Sequence, residues 1–580
     1  MIRKLCLIAA TVLLSVAVSV CADKPSEVAN AEQIIDKMTA LEAANVKNIE
    51  RYTPLVETYV QTYMTDKETG RAPHGDQWFL GRVSFKGRIS NDIFVDQAEA
   101  KKATVSHKMF HRVASLSPVG RTWEPSGFAQ MAIIDKDGFN RQHYDFTFVK
   151  REYLGTVRCL VFDVMPKSKS GVGRFRGRIY VEDHDYNIVR FNGLFVRPKE
   201  HTAYAHFDSW RVNVKGGQWL PAYIYGEESS IDLDGKKLAF KSQTRLWGYS
   251  ASLRRSPESK SAEFTAVLVD DSITDQSGSN SGPLSPLGSE RAFERQAENN
   301  VLEKLEDAGL LAPPNEVDKV LQTVTNNLIF TNELIIEPEV RCRVLLTSPI
   351  ESLTVGHTII ISRGLLDVLP DEASLAAVLA HELSHIVLAH EIDTRLAFGD
   401  RMLFNESETI LRLSMAHTAE EEAAADKQSL ELLAKSPYKD KFQTIGLFLK
   451  QIHSSHDALP NLTRGRLGNS LVDRLGNIMA NAPELKKTDV QQTAALPLGA
   501  RIDLDPWNNH VELTKAQSVA ALNAHEKLPL LITPFYPYLN RVGENSPKSE
   551  TKPNLGENTK PTDAAPPVEE SKQIGRGGSE

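Results

Sequence analysis

Five residues, His381-Glu382-Leu383-Ser384-His385, constrain this chain more than any other stretch. They lie in a run from Asp371 to His390 that reads as one helix. Asp371 is placed to cap its start after Pro370, and Leu375, Val378, Leu379, Leu383, Ile386 and Val387 give it a broad apolar surface. Positions i and i+4 of a helix share a face, so His381 and His385 offer two imidazole nitrogens to one ion. Glu382 stands about 100° round the same turn, close enough to act on a metal-bound water without being a ligand.

The H-E-x-x-H pattern also arises by chance, and a lone helical histidine pair is more often surface or core furniture. A second element changes that balance. Thr418-Ala-Glu-Glu421 has the T-x-x-E form of a capping box and predicts a helix to about Lys435, stopped by Ser436-Pro437. Glu422 and Asp426 are four apart on it, hence on one face. One carboxylate as ligand, and another accepting a hydrogen bond from a ligand imidazole, complete a His₂Glu zinc site. A metzincin is excluded, because it needs Gly and His where this chain has Leu388 and Glu391.

With these residues the chain resembles the gluzincin metallopeptidases that include the CAAX prenyl proteases and the HtpX and BepA-type envelope proteases. The likeness spans roughly residues 290–480. It rests on His381–His385, on Glu422-Ala-Ala-Ala-Asp426, and on Thr358-Ile-Ile-Ile-Ser-Arg-Gly-Leu-Leu366. The chain departs from the family before that strand, with Glu351-Ser-Leu353 and Val355-Gly356, and around Asn461–Arg466, where no T-H-P element is seen. The resemblance implies one Zn²⁺ per chain on His381, His385 and Glu422, with Glu382 as general base. Asp426 would accept the N–H of a ligand imidazole, that of His381 first. It also implies protein or peptide substrates, lipoproteins and outer-membrane proteins among the clients. Thr358, Ile359, Ile360 and Ile361 are expected to form the sheet edge along which a peptide adds as a strand. An oxyanion donor is expected among His453, His456, Tyr438 and Arg474, and the sequence does not choose.

The rest of the chain sets the frame. At 580 residues, 41% hydrophobic and 24% charged, two or three globular domains are expected. A net charge of −8 with no basic block argues against a nucleic-acid partner. Arg3 and Lys4 precede an apolar run from Leu5 to Val20, and Val20-Cys21-Ala22 resembles a signal-peptidase site. A cleaved leader over 1–22 is expected, giving a periplasmic or secreted protein with no transmembrane helix. Lipid anchoring at Cys21 is the less favoured alternative. Cys159 and Cys342 sit in alternating apolar segments and read as buried free thiols.

The fold class expected is α+β. An antiparallel β-sheet or partial-barrel domain precedes a mainly helical zincin-type metallopeptidase domain with a small β-sheet. The first segment, 28–70, reads as helical from Ile34, Ile35, Met38, Leu41, Ala44 and Val46. From 78 to 272 the period changes to two, with turn signals at Asp137-Gly138, Gly216-Gly217 and Asp234-Gly235. This part distantly resembles the periplasmic lipoprotein-carrier fold. Its aromatics Phe207, Trp210, Trp219, Tyr223, Tyr225 and Trp247 read as sheet core rather than as a lipid groove. A Ser/Gly/Pro-rich linker is expected at 273–290, the metallopeptidase domain at 291–480, an ordered extension at 481–542 and a disordered tail at 543–580. Three functions remain open: an envelope endopeptidase, a metal-bearing chaperone or assembly factor with regulated proteolysis, and a lipid or lipoprotein carrier.

Overall fold

The computed structural model describes residues 31–64, 72–94, 125–168, 173–196, 205–250, 286–391, 414–486, 501–514 and 530–542, save positions 88, 216, 234, 235 and 535. The expected leader at 1–22, the tail at 543–580 and all of the 273–290 linker before Pro286 lie outside them. Helix α1 (Ala31–Ile49) leads into β1 (Leu55–Met64), β2 (Ala72–Ser84) and β3 (Ser90–Ile93). A short helix α2 (Pro125–Gln130) precedes β4 (Tyr144–Leu154), β5 (Val157–Pro166), β6 (Phe175–Glu182) and β7 (Ile188–Phe195). The run closes with β8 (His206–Lys215), β9 (Gln218–Leu233) and β10 (Lys236–Trp247).

These strands form one ten-stranded sheet in the order β3-β2-β1-β10-β9-β8-β7-β6-β5-β4. Every neighbour is antiparallel, so the sheet is a meander with β1 added beside β10. Strand β1 corrects the helical reading of 28–70, which holds only for α1. The stretch Val56–Tyr63 is dense in β-branched and aromatic residues, which suit a pleated surface better than a helix. Its first seven residues are all buried, because both sides of the sheet are covered.

The alternation along each strand sorts side chains between two cores. Val56, Phe162, Phe191, Phe207 and Leu246 pack with Ile35, Met38, Val46 and Ile49 of α1. Leu55, Tyr59, Trp210, Trp219 and Trp247 face the other way, into a core continuous with the C-terminal half. Helix α1 is pinned by a buried bidentate pair, Arg211 Nη1 and Nη2 donating to the two oxygens of Glu42 at 2.6 Å each. Cys159 and Cys342 are buried and free, as expected.

The C-terminal half begins with α3 (Pro286–Asp307) and α4 (Glu316–Thr331). A small sheet follows, from β11 (Arg341–Leu345), β12 (Ser352–Val355) and β13 (Thr358–Ser362) in the order β11-β13-β12. This order corrects the expected edge strand. Thr358–Ile361 lies in the middle, parallel to β11 and antiparallel to β12, so both sides of its backbone are paired. The apolar run that suggested an edge is what burial between two strands selects, and the edge nearest the site is β12.

Strand β13 ends at Ser362, which caps the short helix α5 (Arg363–Val368). Helices α6 (Glu372–Val387), α7 (Ala419–Ala434) and α8 (Phe442–Ser455) then carry or surround the site, with α9 (Pro460–Thr463) and α10 (Gly476–Ala480) beyond. Strands β14 (Ile502–Asp505) and β15 (His510–Leu513) make a hairpin.

A buried polar seam joins the large sheet to the small one. Glu57 of β1 accepts from Ser348 N (2.6 Å), Ser348 Oγ (2.7 Å) and Trp78 Nε1 (2.8 Å). Trp247 Nε1 donates to the carbonyl of Gly309, whose φ of +77° only glycine adopts freely. Among the described residues, no helix is long and apolar enough to cross a membrane.

Candidate metal centre

Helix α6 starts where the sequence places it. Asp371 accepts from Ser374 N at 2.8 Å, and every residue from Ala373 to His385 is buried. Helix α7 opens with the expected capping box, Thr418 Oγ1 accepting from Glu421 N and Glu421 Oε2 accepting from Thr418 N. Glu422 sits in that first turn, where the helix dipole favours negative charge.

The two helices bring three donors together. His381 Nε2 lies 3.2 Å from His385 Nε2 and 3.1 Å from Glu422 Oε2, and His385 Nε2 lies 3.8 Å from Glu422 Oε1. A tetrahedral ion with ligands at about 2.0–2.1 Å separates its donors by about 3.3 Å, so this triangle has the size one zinc requires. His381, His385 and Glu422 thus form a set able to hold a metal. Behind it, Asp426 Oδ1 stands 2.9 Å from His381 Nδ1, and Asp426 is fixed in turn by the backbone N–H of Leu475 at 2.9 Å.

Glu382 is fully buried and tightly held. Its Oε1 accepts from Ser352 Oγ and from Arg474 Nη1, each at 2.7 Å, and its Oε2 accepts from Thr354 Oγ1 at 2.7 Å. Arg474 also stands 3.0 Å from Glu422 Oε2 through Nε, bridging the two carboxylates. Burial works against ionisation of Glu382, but Arg474 first, then His381 and His385, outweigh it and hold its carboxyl at about 2. Burial likewise opposes the charge on Glu422, and the hydrogen bond from His381 and the charge of Arg474 keep its carboxyl below the usual range. Burial pushes His385 down to about 3, so this imidazole is neutral at physiological pH, the form that binds metal.

Of the four oxyanion candidates, the structure brings Arg474 to the site. Tyr438 Oη instead donates to Glu372 Oε1 at 2.6 Å, His456 Nδ1 pairs with Thr463 Oγ1 at 2.8 Å, and His453 is exposed on α8. Four site neighbours escaped the sequence reading. Ser352 and Thr354 come from β12, His390 from just past α6, and His417 from just before the α7 cap. His390 is turned back by Ala389 (φ +54°), so that its Nδ1 lies 2.9 Å from His385 Nδ1, and the His417 ring stacks on His385 at 3.9 Å. A third histidine five residues after the second was the available signal for His390. Nothing local pointed to the other three.

An H-E-x-x-H helix facing a carboxylate on a second helix defines a zinc metallopeptidase site. Residues 352–464 match the model of Peptidase family M48, and the chain carries a domain of that family of zinc metallopeptidases. The match runs from Ser352 through both metal-site helices. No curated protein matches the chain. Among solved structures, it is similar to a LolA superfamily protein from Nitrosomonas europaea, at 11% identity over 36% of this chain and 94% of that one, with a TM-score of 0.19. It is also similar to a DUF1329 family protein from Desulfovibrio piger, at 10% identity over 37% of this chain and 92% of that one, with a TM-score of 0.18.

Proposed function

We propose that the chain is a zinc-dependent endopeptidase that hydrolyses peptide bonds in envelope or secreted proteins. The observation that carries this is the closure of His381 Nε2, His385 Nε2 and a Glu422 oxygen, all within 4.8 Å of one another, beside a second, ionised glutamate. One Zn²⁺ held by these three groups would bring a bound water to a pKa of about 7 and polarise a scissile carbonyl. The remaining work falls to the protein.

Glu382 is the proton carrier. A carboxylate offers about four lone-pair sites. Ser352 and Arg474 use two on Oε1 and Thr354 uses one on Oε2, so Oε2 keeps a site for the proton of the attacking water. Glu382 then passes that proton to the leaving amine. Asp426 fixes the His381 tautomer and leaves Nε2 free to ligate. Arg474 neutralises two carboxylates that would otherwise repel each other, which makes it a positioning residue. The signal-like leader and the family resemblance support an envelope setting.

A second reading, an assembly factor with regulated proteolysis, has one observation in its favour. The outer side of β12, where a peptide would add, is approached by the loop at Gly468. A Cβ there would stand 3.1 Å from Leu353 Cβ and 3.4 Å from the Ser352 carbonyl oxygen. Lipid carriage is disfavoured, because the sheet's Trp210, Trp219 and Trp247 are spent on packing against the C-terminal half.

Casein cleavage separates the first two readings. The endopeptidase reading expects hydrolysis by the full chain that stops with 1,10-phenanthroline and returns with zinc. Protection of clients from aggregation without any cleavage would reject it.

A further inference from the structure

We propose that His390, His417 and the Nδ1 atom of His385 form a second divalent-cation site, inhibitory in effect, on the far edge of the His385 ring. The proposal rests on the reading above, in which His385 Nε2 faces the first ion.

Three nitrogens, one from each ring, lie within 4.8 Å of one another. Two already point at each other, His385 Nδ1 and His390 Nδ1 at 2.9 Å. An ion with ligands at about 2.0–2.1 Å needs about 3.3 Å between donors, so this pair opens by only a few tenths of an ångström to admit it. The third ring, His417, lies flat on His385, 3.9 Å between centroids and 15° between planes. Both of its nitrogens are buried with no hydrogen-bond partner among the described residues. Among the described residues the nearest carboxylate, Glu421 Oε2, is 3.8 Å from its Nδ1, beyond hydrogen-bond range. A buried imidazole without partners is costly, and an ion would supply the missing one. To reach it, the His417 ring tilts out of its stack.

The backbone holds this arrangement in place. Ala389, at φ +54°, turns the chain at the end of α6, and His390 N donates to the His385 carbonyl at 2.9 Å. His417 is fixed from both sides by Asn469, which accepts from its N–H at 2.7 Å and donates to its carbonyl at 3.0 Å.

A set of three imidazoles selects borderline ions such as Zn²⁺, Cu²⁺ or Ni²⁺ over Mg²⁺ and Ca²⁺. With the first ion on Nε2, filling the second site displaces the Nδ1 proton of His385 to solvent and leaves that ring bridging two cations. The second ion therefore binds more weakly than the first. It also changes a ligand of the first ion, which is why zinc in excess should inhibit.

The test is zinc stoichiometry by equilibrium dialysis of the metal-free full chain against ZnCl₂. The wild type should bind two ions, one tight and one weaker, and His390→Ala and His417→Ala should each stop at one tight ion. His390 is only half-buried, so its replacement probes the site without emptying a core position. Glu422→Ala should lose the tight ion and keep the weaker one. Casein hydrolysis by the wild type should fall as the weaker site fills, while His390→Ala keeps its own rate across the same zinc range. A wild type that saturates at one ion lost in Glu422→Ala, or histidine variants that still reach two, would overturn the proposal. A single wild-type ion that survives Glu422→Ala but not His390→Ala would instead overturn the catalytic reading and leave this site standing.

Discussion

Replacing Arg474 with Ala should be the most damaging single change near the metal centre. Its side chain is 2% exposed, 2.7 Å from one oxygen of Glu382 and 3.0 Å from one of Glu422, and those two carboxylates are 0% and 15% exposed. Without the guanidinium they face each other in a protein interior with no compensating charge. Removing one member of a buried ion pair costs about 3–5 kcal/mol, and here one cation serves two anions, so the upper end applies. The metal-free form should carry the full loss. A bound dication replaces part of the missing charge, so zinc should recover some of the deficit, and ordinary linkage already gives about 2.7 kcal/mol at a hundredfold excess over Kd. The assay is a urea titration of wild type and variant, each metal-free and zinc-loaded, with Arg474→Lys as the form that keeps the charge but loses the fork. A metal-free Arg474→Ala chain within about 0.5 kcal/mol of wild type would refute the reasoning, since that is the range of an ordinary surface change.

Other expectations follow from the same contacts. Asp426→Asn should weaken zinc binding about 10–100-fold while the chain stays folded, because it removes the carboxylate against His381 Nδ1; zinc titration against a competing chelator reads it. Glu42→Ala should destabilise the sheet domain by about 3–5 kcal/mol by stranding Arg211, and Glu42→Leu paired with Arg211→Met should recover much of that, as read from urea midpoints. Burial raises the Asp318 carboxyl in the α4 capping box to about 6. A folded-state value above the unfolded one, near 3.9, means the native state binds the extra proton, so this group adds stability as pH falls from about 6 toward 4 and withdraws it as pH rises. Thermal midpoints at pH 5 and 7.5 should therefore differ less in Asp318→Asn than in the wild type.

Much of the metal centre was legible because its parts are local. Spacing of four on a helix puts His381 beside His385, and Glu422 beside Asp426, whatever the rest of the chain does. The caps at Asp371 and Thr418 are written within three residues of each helix start. The pairing of the two helices was inferred from the donor set a zinc needs, and the structure brings those donors together. What escaped depends on distant contacts. Ser352 and Thr354 reach Glu382 across 30 and 28 residues with no periodicity linking them, and Arg474, named only as one of four candidates, reaches it across 92.

The misreadings have the same origin. Strand β1 follows directly on α1, and its strand character is fixed by partners at 72–84 and 236–247 rather than by its own short pattern. The three isoleucines of β13 read as an edge because the sequence does not record that β11 pairs on its other side. In the large sheet, alternation announced strands correctly. The joining of β1 to β10, which extends the meander by β1, β2 and β3, was not announced.

The central claim is that one ion is shared by residues 381, 385 and 422 while residue 382 moves the proton. It is tested most directly by measuring zinc affinity and casein hydrolysis together in wild type, Glu382→Gln and Glu422→Ala. The account predicts that Glu382→Gln binds zinc as tightly as wild type and cleaves nothing, and that Glu422→Ala loses the tight ion and the activity with it. Turnover in metal-loaded Glu382→Gln, or undiminished tight binding in Glu422→Ala, would contradict it.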